Sequence, residues 1–162
     1  MKKLFVFLCS LLMASSLQAQ QHSDLPDLTL KDLEGRDVTV SELPNGAKAV
    51  VVVFWAAWCR TACVSVLDML NDKVPEWNAE QVRMYAVAMD DERSSSEVKP
   101  MVESKGWDFP VLLDVEGALK RALNVTSPPR VILFDGNGQA VFQCGYADDV
   151  VQQVTEAILQ LQ

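Results

Sequence analysis

The sequence predicts one α/β domain, a mixed central sheet flanked by helices. Three observations carry this. Residues 49–54, Ala-Val-Val-Val-Val-Phe, are apolar without alternation, as a strand covered on both faces must be. From that run onward, strand-like and helix-like patterns alternate as far as Leu123, the order that builds parallel strands with helical crossovers. The chain then changes to a tight hairpin, because Asp135-Gly136-Asn137-Gly138 between apolar runs is a strong two-strand turn signal.

In order along the chain, Asp27-Leu28-Thr29-Leu30 and Arg36–Val40 alternate around a Glu34-Gly35 turn, predicting an N-terminal β-hairpin. Ser41-Glu42-Leu43 is read as one helical turn and Pro44-Asn45-Gly46 as a loop. The central strand follows. Between Thr61 and Val74, apolar residues at Cys63, Val66, Leu67, Leu70 and Val74 make one helical stripe, which Pro75 is expected to stop. Val82–Met89 is a second core strand ending at Asp90-Asp91. Ser94 and Glu97 have capping-box spacing for a helix that contains Pro100 and ends at Gly106. Pro110–Asp114 is a short apolar segment, and Gly117–Leu123 a short helix. Val131–Phe134 and Ala140–Gln143 are the arms of the closing hairpin. Asp149 is expected to cap a last helix carrying Val150, Val154, Ala157, Ile158 and Leu161 on one face. No repeat and no interdomain linker interrupts this order.

Residues 1–19 stand apart from it. Met1-Lys2-Lys3, the apolar run Leu4–Met13 and the small-residue exit ending at Ala19 have the layout of a secretory signal peptide. The apolar run is too short for a membrane span. The expected organisation is a signal peptide over 1–19 and a single domain over 20–162, exported, with no membrane span in the mature chain. The whole chain has 14 basic and 22 acidic side chains; losing Lys2 and Lys3 leaves 12 against 22, a net charge of about −10. Such a surface excludes nucleic acid and anionic membrane as partners. His22 is the sole histidine, which argues against a Cys–His dyad and most zinc sites. The mature chain keeps Cys59, Cys63 and Cys144, suited to one pair plus one extra thiol in an oxidising compartment.

The chemistry gathers at the end of the central strand. Phe54-Trp55-Ala56-Ala57-Trp58-Cys59 leads into an amphipathic helix, so a buried strand delivers a thiol to a helix N-terminus. Backbone N–H groups and the helix dipole there favour thiolate over thiol. The second cysteine is four residues on, in Cys59-Arg60-Thr61-Ala62-Cys63. On an ideal helix such residues have Cα atoms about 6 Å apart, against about 5 Å at a spacing of three. A disulfide tolerates up to roughly 6.8 Å, so a bond is feasible but near the upper end of the range, with an expected strain that eases reduction.

That stretch, together with Leu25–Leu30, Leu33-Glu34-Gly35, Phe109–Asp114, and Val125–Asp135 followed by Gly138, resembles the thioredoxin superfamily. More narrowly it resembles the exported TlpA/ResA-type thiol–disulfide oxidoreductases, over nearly the whole mature chain. The resemblance implies a thioredoxin-like fold with an N-terminal β-hairpin extension, a periplasmic location, no cofactor, and two partners, a protein thiol or disulfide substrate and an upstream redox protein. It implies Cys59 as nucleophile, Cys63 as resolving thiol, and Pro129 as a cis-proline opposite the pair that offers its backbone to a docked segment. Trp58, Arg60 and Pro128 are the expected substrate contacts, with Arg60 also favouring the thiolate.

The chain departs from the family pattern in its Cys-x-x-x-Cys spacing and in Val66 and Asp68, where Glu and Pro are common. It departs again in Val53, where thioredoxins bury an Asp, and in Cys144 before Gly145. Two other readings compete. Sco-type copper proteins share the fold and a Cys-x-x-x-Cys, and two thiolates suit Cu(I), but they add a later histidine that has no counterpart after His22. A redox-inactive binding protein of the same fold is the other. A peroxidase is set aside, because Ala56-Ala57-Trp58 replace the Pro and Thr that precede a peroxidatic cysteine. Cys144 reads first as a small buried hydrophobe. Trp55 is placed in the core, Trp77 and Trp107 at helix ends, Asp68 on an exposed helix face, and Asp90–Arg93 in a solvated loop.

Overall fold

In the computed structural model, which describes residues 24–161, the run Ala49–Trp55 is the strand β3 in the middle of a seven-stranded sheet. The expected signal peptide, 1–19, lies outside the described residues. The strands are β1 (Thr29–Asp32), β2 (Asp37–Thr39), β3, β4 (Val82–Ala88), β5 (Val111–Leu113), β6 (Arg130–Asp135) and β7 (Ala140–Cys144). Their spatial order is β2-β1-β5-β4-β3-β6-β7. β3, β4 and β5 run parallel, while the hairpin β1–β2 joins antiparallel beside β5 and β6–β7 antiparallel beside β3. This is the expected mixed sheet, with the N-terminal hairpin extending one edge and the Pro110–Asp114 segment supplying β5.

The helices are α1 (Ala62–Asn71), α2 (Val74–Ala79), α3 (Val98–Lys105), α4 (Ala118–Ala122) and α5 (Val150–Leu159). Because side chains alternate across a strand, β3 divides its residues between two cores. Val51, Val53 and Trp55 pack with Cys63, Val66, Leu67 and Leu70 of α1, and with apolar residues of α2, α3 and α5. Val50, Val52 and Phe54 pack with Val40, Leu43, Leu119 and Leu123 on the opposite face. Every residue of β3 is fully buried, which explains a run with no polar position in it.

Three local expectations are corrected. Pro75 does not stop the first helix: α1 already ends at Asn71, and Pro75 sits in the first turn of α2, where its missing N–H costs nothing. Ser94 and Glu97 form no capping box. They lie in and beside a 3₁₀ turn, and the Asp91 carboxylate takes the Arg93 and Ser94 N–H groups at 3.0 and 3.3 Å. Asp149 makes no side-chain cap for α5; its carboxylate accepts instead from Gln153 Nε2 at 2.6 Å. Gly106 does end α3 as expected, in the left-handed region at φ 65°.

Candidate active site

The site forms where β3 ends. Trp55 pairs with Ala88 of the parallel neighbour β4, and the Met89 N–H donates to the Trp55 carbonyl at 2.7 Å. The chain then turns through Ala56–Trp58, closed by the Cys59 N–H donating to the Ala56 carbonyl at 3.0 Å. Cys59 is half-buried in this turn, three residues ahead of α1, whereas Cys63 is the second residue of that helix and fully buried. The two sulfurs are bonded, with Cα atoms 5.5 Å apart. That separation lies in the middle of the ordinary disulfide range, not near its upper end. The reason is local. The expectation placed both cysteines on an ideal helix, but Cys59 precedes the helix and the turn brings it closer than the helical rise would.

Pro129 follows a cis peptide bond after Pro128. The antiparallel register pairs Phe54 with Arg130, so Pro129 stands one residue further along, at the same end of β3 as the turn that carries Cys59. Pro128, Pro129 and Arg130 are all half-buried. Trp58 is 61 % exposed, an unusual position for an indole and the largest apolar surface beside the disulfide. Arg60 is exposed too, with a nitrogen 3.7 Å from Glu97, so its charge is shared with a surface carboxylate. The end of β3 therefore carries the turn with Trp58, Cys59 and Arg60 ahead of Cys63, and the β3–β6 register sets Pro128 and Pro129 at that same end.

Cys144 pairs with Val131 at the end of β7 and packs against the same apolar cluster as the disulfide. It is a free thiol. Burial pushes its pKa up to about 11; Arg130 pulls it down by less, and Asp149 adds to the rise. A thiol so held is protonated at neutral pH and a poor nucleophile. Among the described residues, no three His, Cys, Asp or Glu side chains converge in a metal-binding group.

Two carboxylates near the site were not legible as such. Asp68 is on an exposed helix face as read, and its carboxylate also accepts from Trp107 Nε1 at 2.7 Å and from Lys105 Nζ at 2.9 Å. Trp107 in turn meets Trp55 edge-on at 5.4 Å and stacks on Phe109 at 5.5 Å. Trp55 is thus in the core as expected, and the pair ties α1 to the strand that carries the active turn. Asp90, read as part of a solvated loop, is 1 % exposed and its Oδ2 accepts from the Ala57 N–H at 2.9 Å. Its position directly after the apolar Val87-Ala88-Met89 was the one available sign of burial.

Residues 22–142 match the AhpC/TSA family. The chain belongs to that family. Among its relatives, the thiol-disulfide oxidoreductase ResA of Geobacillus kaustophilus is 30 % identical over 72 % of this chain and 64 % of its own length. The chain thus spans about two thirds of the length of such curated relatives. ResA of Bacillus subtilis is 26 % identical over 85 % of this chain and 78 % of the relative. The solution structure of a thioredoxin-like protein from Porphyromonas gingivalis superposes with a TM-score of 0.74 at 32 % identity, covering 86 % of this chain and 92 % of that one. The thioredoxin-like fold and the ResA-type resemblance expected from the sequence are both borne out in this family member.

Proposed function

We propose that this AhpC/TSA-family chain is a thiol–disulfide oxidoreductase that exchanges disulfides with cysteines of protein partners. The reading rests on one observation, a bonded Cys59–Cys63 pair in which Cys59 is half-buried and Cys63 fully enclosed. A partner can approach the pair only through the half-buried Cys59, and Cys63 behind it can close the pair again. The ResA relatives, named as thiol-disulfide oxidoreductases, support the same assignment.

In the reducing direction, the Cys59 thiolate attacks the nearer sulfur of a partner disulfide. The Cys59–partner S–S bond forms, and the partner's second sulfur leaves as thiolate. Cys63 gives up its proton and attacks Cys59, forming Cys59–Cys63 and releasing the partner's first sulfur. Two electrons pass from the pair to the partner; the reverse sequence oxidises a partner dithiol. Trp58 supplies apolar contact for the docked segment, while Pro128 and Pro129 offer backbone beside it and Arg60 offers charge. An upstream redox protein returns the pair to its starting state. The basic-apolar-small start of the chain and the ResA relatives support export, and we assign the protein to the periplasm.

Insulin-disulfide reduction by wild type and Cys59→Ser tests this. The wild type should turn over and Cys59→Ser should not, while Cys63→Ser should accumulate the Cys59 mixed disulfide. Wild-type rates in Cys59→Ser, or no activity in any of the three, would overturn the assignment, the latter in favour of a binding protein.

A further inference from the structure

Among the described residues, two ionisable side chains are almost wholly enclosed, Asp90 and Asp114, each 1 % exposed. Asp114 is explained by its own fold. Both its oxygens accept N–H groups at the start of α4, from Leu119 at 3.1 Å and Lys120 at 2.8 Å. Asp90 has no such explanation. Its Oδ2 holds the Ala57 N–H, and its Oδ1 has no hydrogen-bond partner. A buried carboxylate with an unmatched oxygen is costly, and a fold that keeps one retains something expensive. The neighbouring Trp55 Nε1 is also buried and unmatched, so two of the three such side-chain atoms among the described residues lie where β3 and β4 end beneath the active turn. Ala57 is inside that turn, two residues before Cys59.

Asp90 sits among few charges. Glu97, beyond the 3₁₀ turn, disfavours its ionised form; the Ala57 N–H favours it, as does the nearby Ser94 hydroxyl, whose hydrogen bond goes to Asp91 Oδ1 at 3.4 Å. Burial outweighs these and raises its pKa above the ordinary carboxyl value. Arg60 reaches Glu97 instead, so it does not neutralise Asp90 by a contact. β3 contributes no ionisable side chain at all.

We propose that Asp90 is a positioning residue of the disulfide centre, fixing the Ala56–Trp58 turn through Ala57 and holding the proton that accompanies formation of the Cys59 thiolate. The inference rests on the exchange reaction proposed above. When a partner dithiol reduces Cys59–Cys63, the partner loses two electrons and two protons and becomes a disulfide. One proton ends on Cys63. The second ends on the Asp90 carboxylate, so that Cys59 stays a thiolate without a second negative charge beside it. A charged Asp90 raises the Cys59 pKa; a protonated one lets it fall.

The test uses Asp90→Asn, which keeps an acceptor for the Ala57 N–H and removes the charge. In the reduced protein, alkylation of Cys59 by iodoacetamide is followed from pH 4 to pH 9. Asp90→Asn should leave the acidic limb of the profile unmoved, because the wild-type carboxyl already holds its proton there; a rise of about threefold to tenfold would mean that Asp90 stays charged beside the Cys59 thiolate and would overturn the inference. The reduction potential, measured against glutathione buffers, should depend less on pH in the variant than in wild type. An unchanged potential–pH slope would show a purely structural Asp90 and overturn the inference. Should the variant fold poorly, redox-difference infrared spectroscopy on the wild type gives the same decision. Reduction should produce a protonated-carboxyl C=O band, and its absence refutes proton uptake. Failure of the parent reading is distinct, since there wild type itself leaves insulin unreduced.

Discussion

Asp68→Ala should cost about 2 kcal/mol, nearly all of it through Trp107. The Asp68 carboxylate accepts from the Trp107 indole at 2.7 Å and from the Lys105 ammonium at 2.9 Å. The two bonds are unequal in consequence. Trp107 is 8 % exposed, so deleting its acceptor strands a buried N–H, at about 1–3 kcal/mol. Lys105 and Asp68 are 36 % and 47 % exposed as side chains, and an ion pair in such surroundings contributes about 0–1 kcal/mol before screening by salt. Lys105→Ala should therefore cost less than about 0.5 kcal/mol. Asp68→Asn, which keeps an acceptor, should fall between the two. For a domain of this size, 2 kcal/mol lowers Tm by about 4–8 °C. The assay is urea unfolding followed by near-ultraviolet circular dichroism, at low salt and again in 0.5 M NaCl. The Asp68→Ala loss should persist in salt and should shrink in a Trp107→Phe background, where no indole N–H is left to strand. Equal losses for Asp68→Ala and Lys105→Ala, or a loss abolished by salt, would refute the reasoning and assign the energy to the surface pair.

Three further outcomes follow from the packing and the charges. A Cβ at Gly136 would stand 2.9 Å from the Ala47 carbonyl oxygen, so Gly136→Ala should cost about 1–3 kcal/mol through forced backbone movement. Gly46→Ala, in open space but at φ +79°, should cost about 1–2 kcal/mol through strain alone; thermal unfolding in which Gly136→Ala is neutral would remove the close approach as a constraint. With a pKa of about 11, Cys144 in the oxidised protein should react with iodoacetamide at pH 7.5 more than about 100-fold slower than a free cysteine peptide, and comparable rates by mass spectrometry would refute its enclosure. Asp90 has a raised pKa when folded, so its contribution to stability is present below the ordinary carboxyl value and is lost as pH rises through the raised one. Relative to wild type, Asp90→Asn should thus be better tolerated at pH 7 than at pH 3.5 in urea titrations; a difference in stability independent of pH would contradict this.

The architecture was legible in local patterns of the chain. The unbroken apolar run 49–54 could only be a central strand, the alternating patterns after it could only be covered by helices, and Asp135-Gly136-Asn137-Gly138 could only close a hairpin. These signals are local and periodic, so they survive without tertiary knowledge. The cysteine pair was legible because it is written within five consecutive residues, and the cis-proline because the stretch Val125–Asp135 resembles that of the thioredoxin superfamily. What the tertiary structure decided was distance and burial. Cys59 and Cys63 approach to 5.5 Å between Cα atoms because one precedes the helix that contains the other, a detail that spacing alone does not express. Asp90 looked like a surface acid because polarity was the available guide, whereas Asp68 is exposed as read and only its partner was hidden. Asp68 proved to hold an indole 39 residues away, and Asp90 a backbone N–H 33 residues away. Whether a carboxylate faces water or a buried donor depends on which distant segment the fold lays against it, and no neighbouring residue in the chain carries that information.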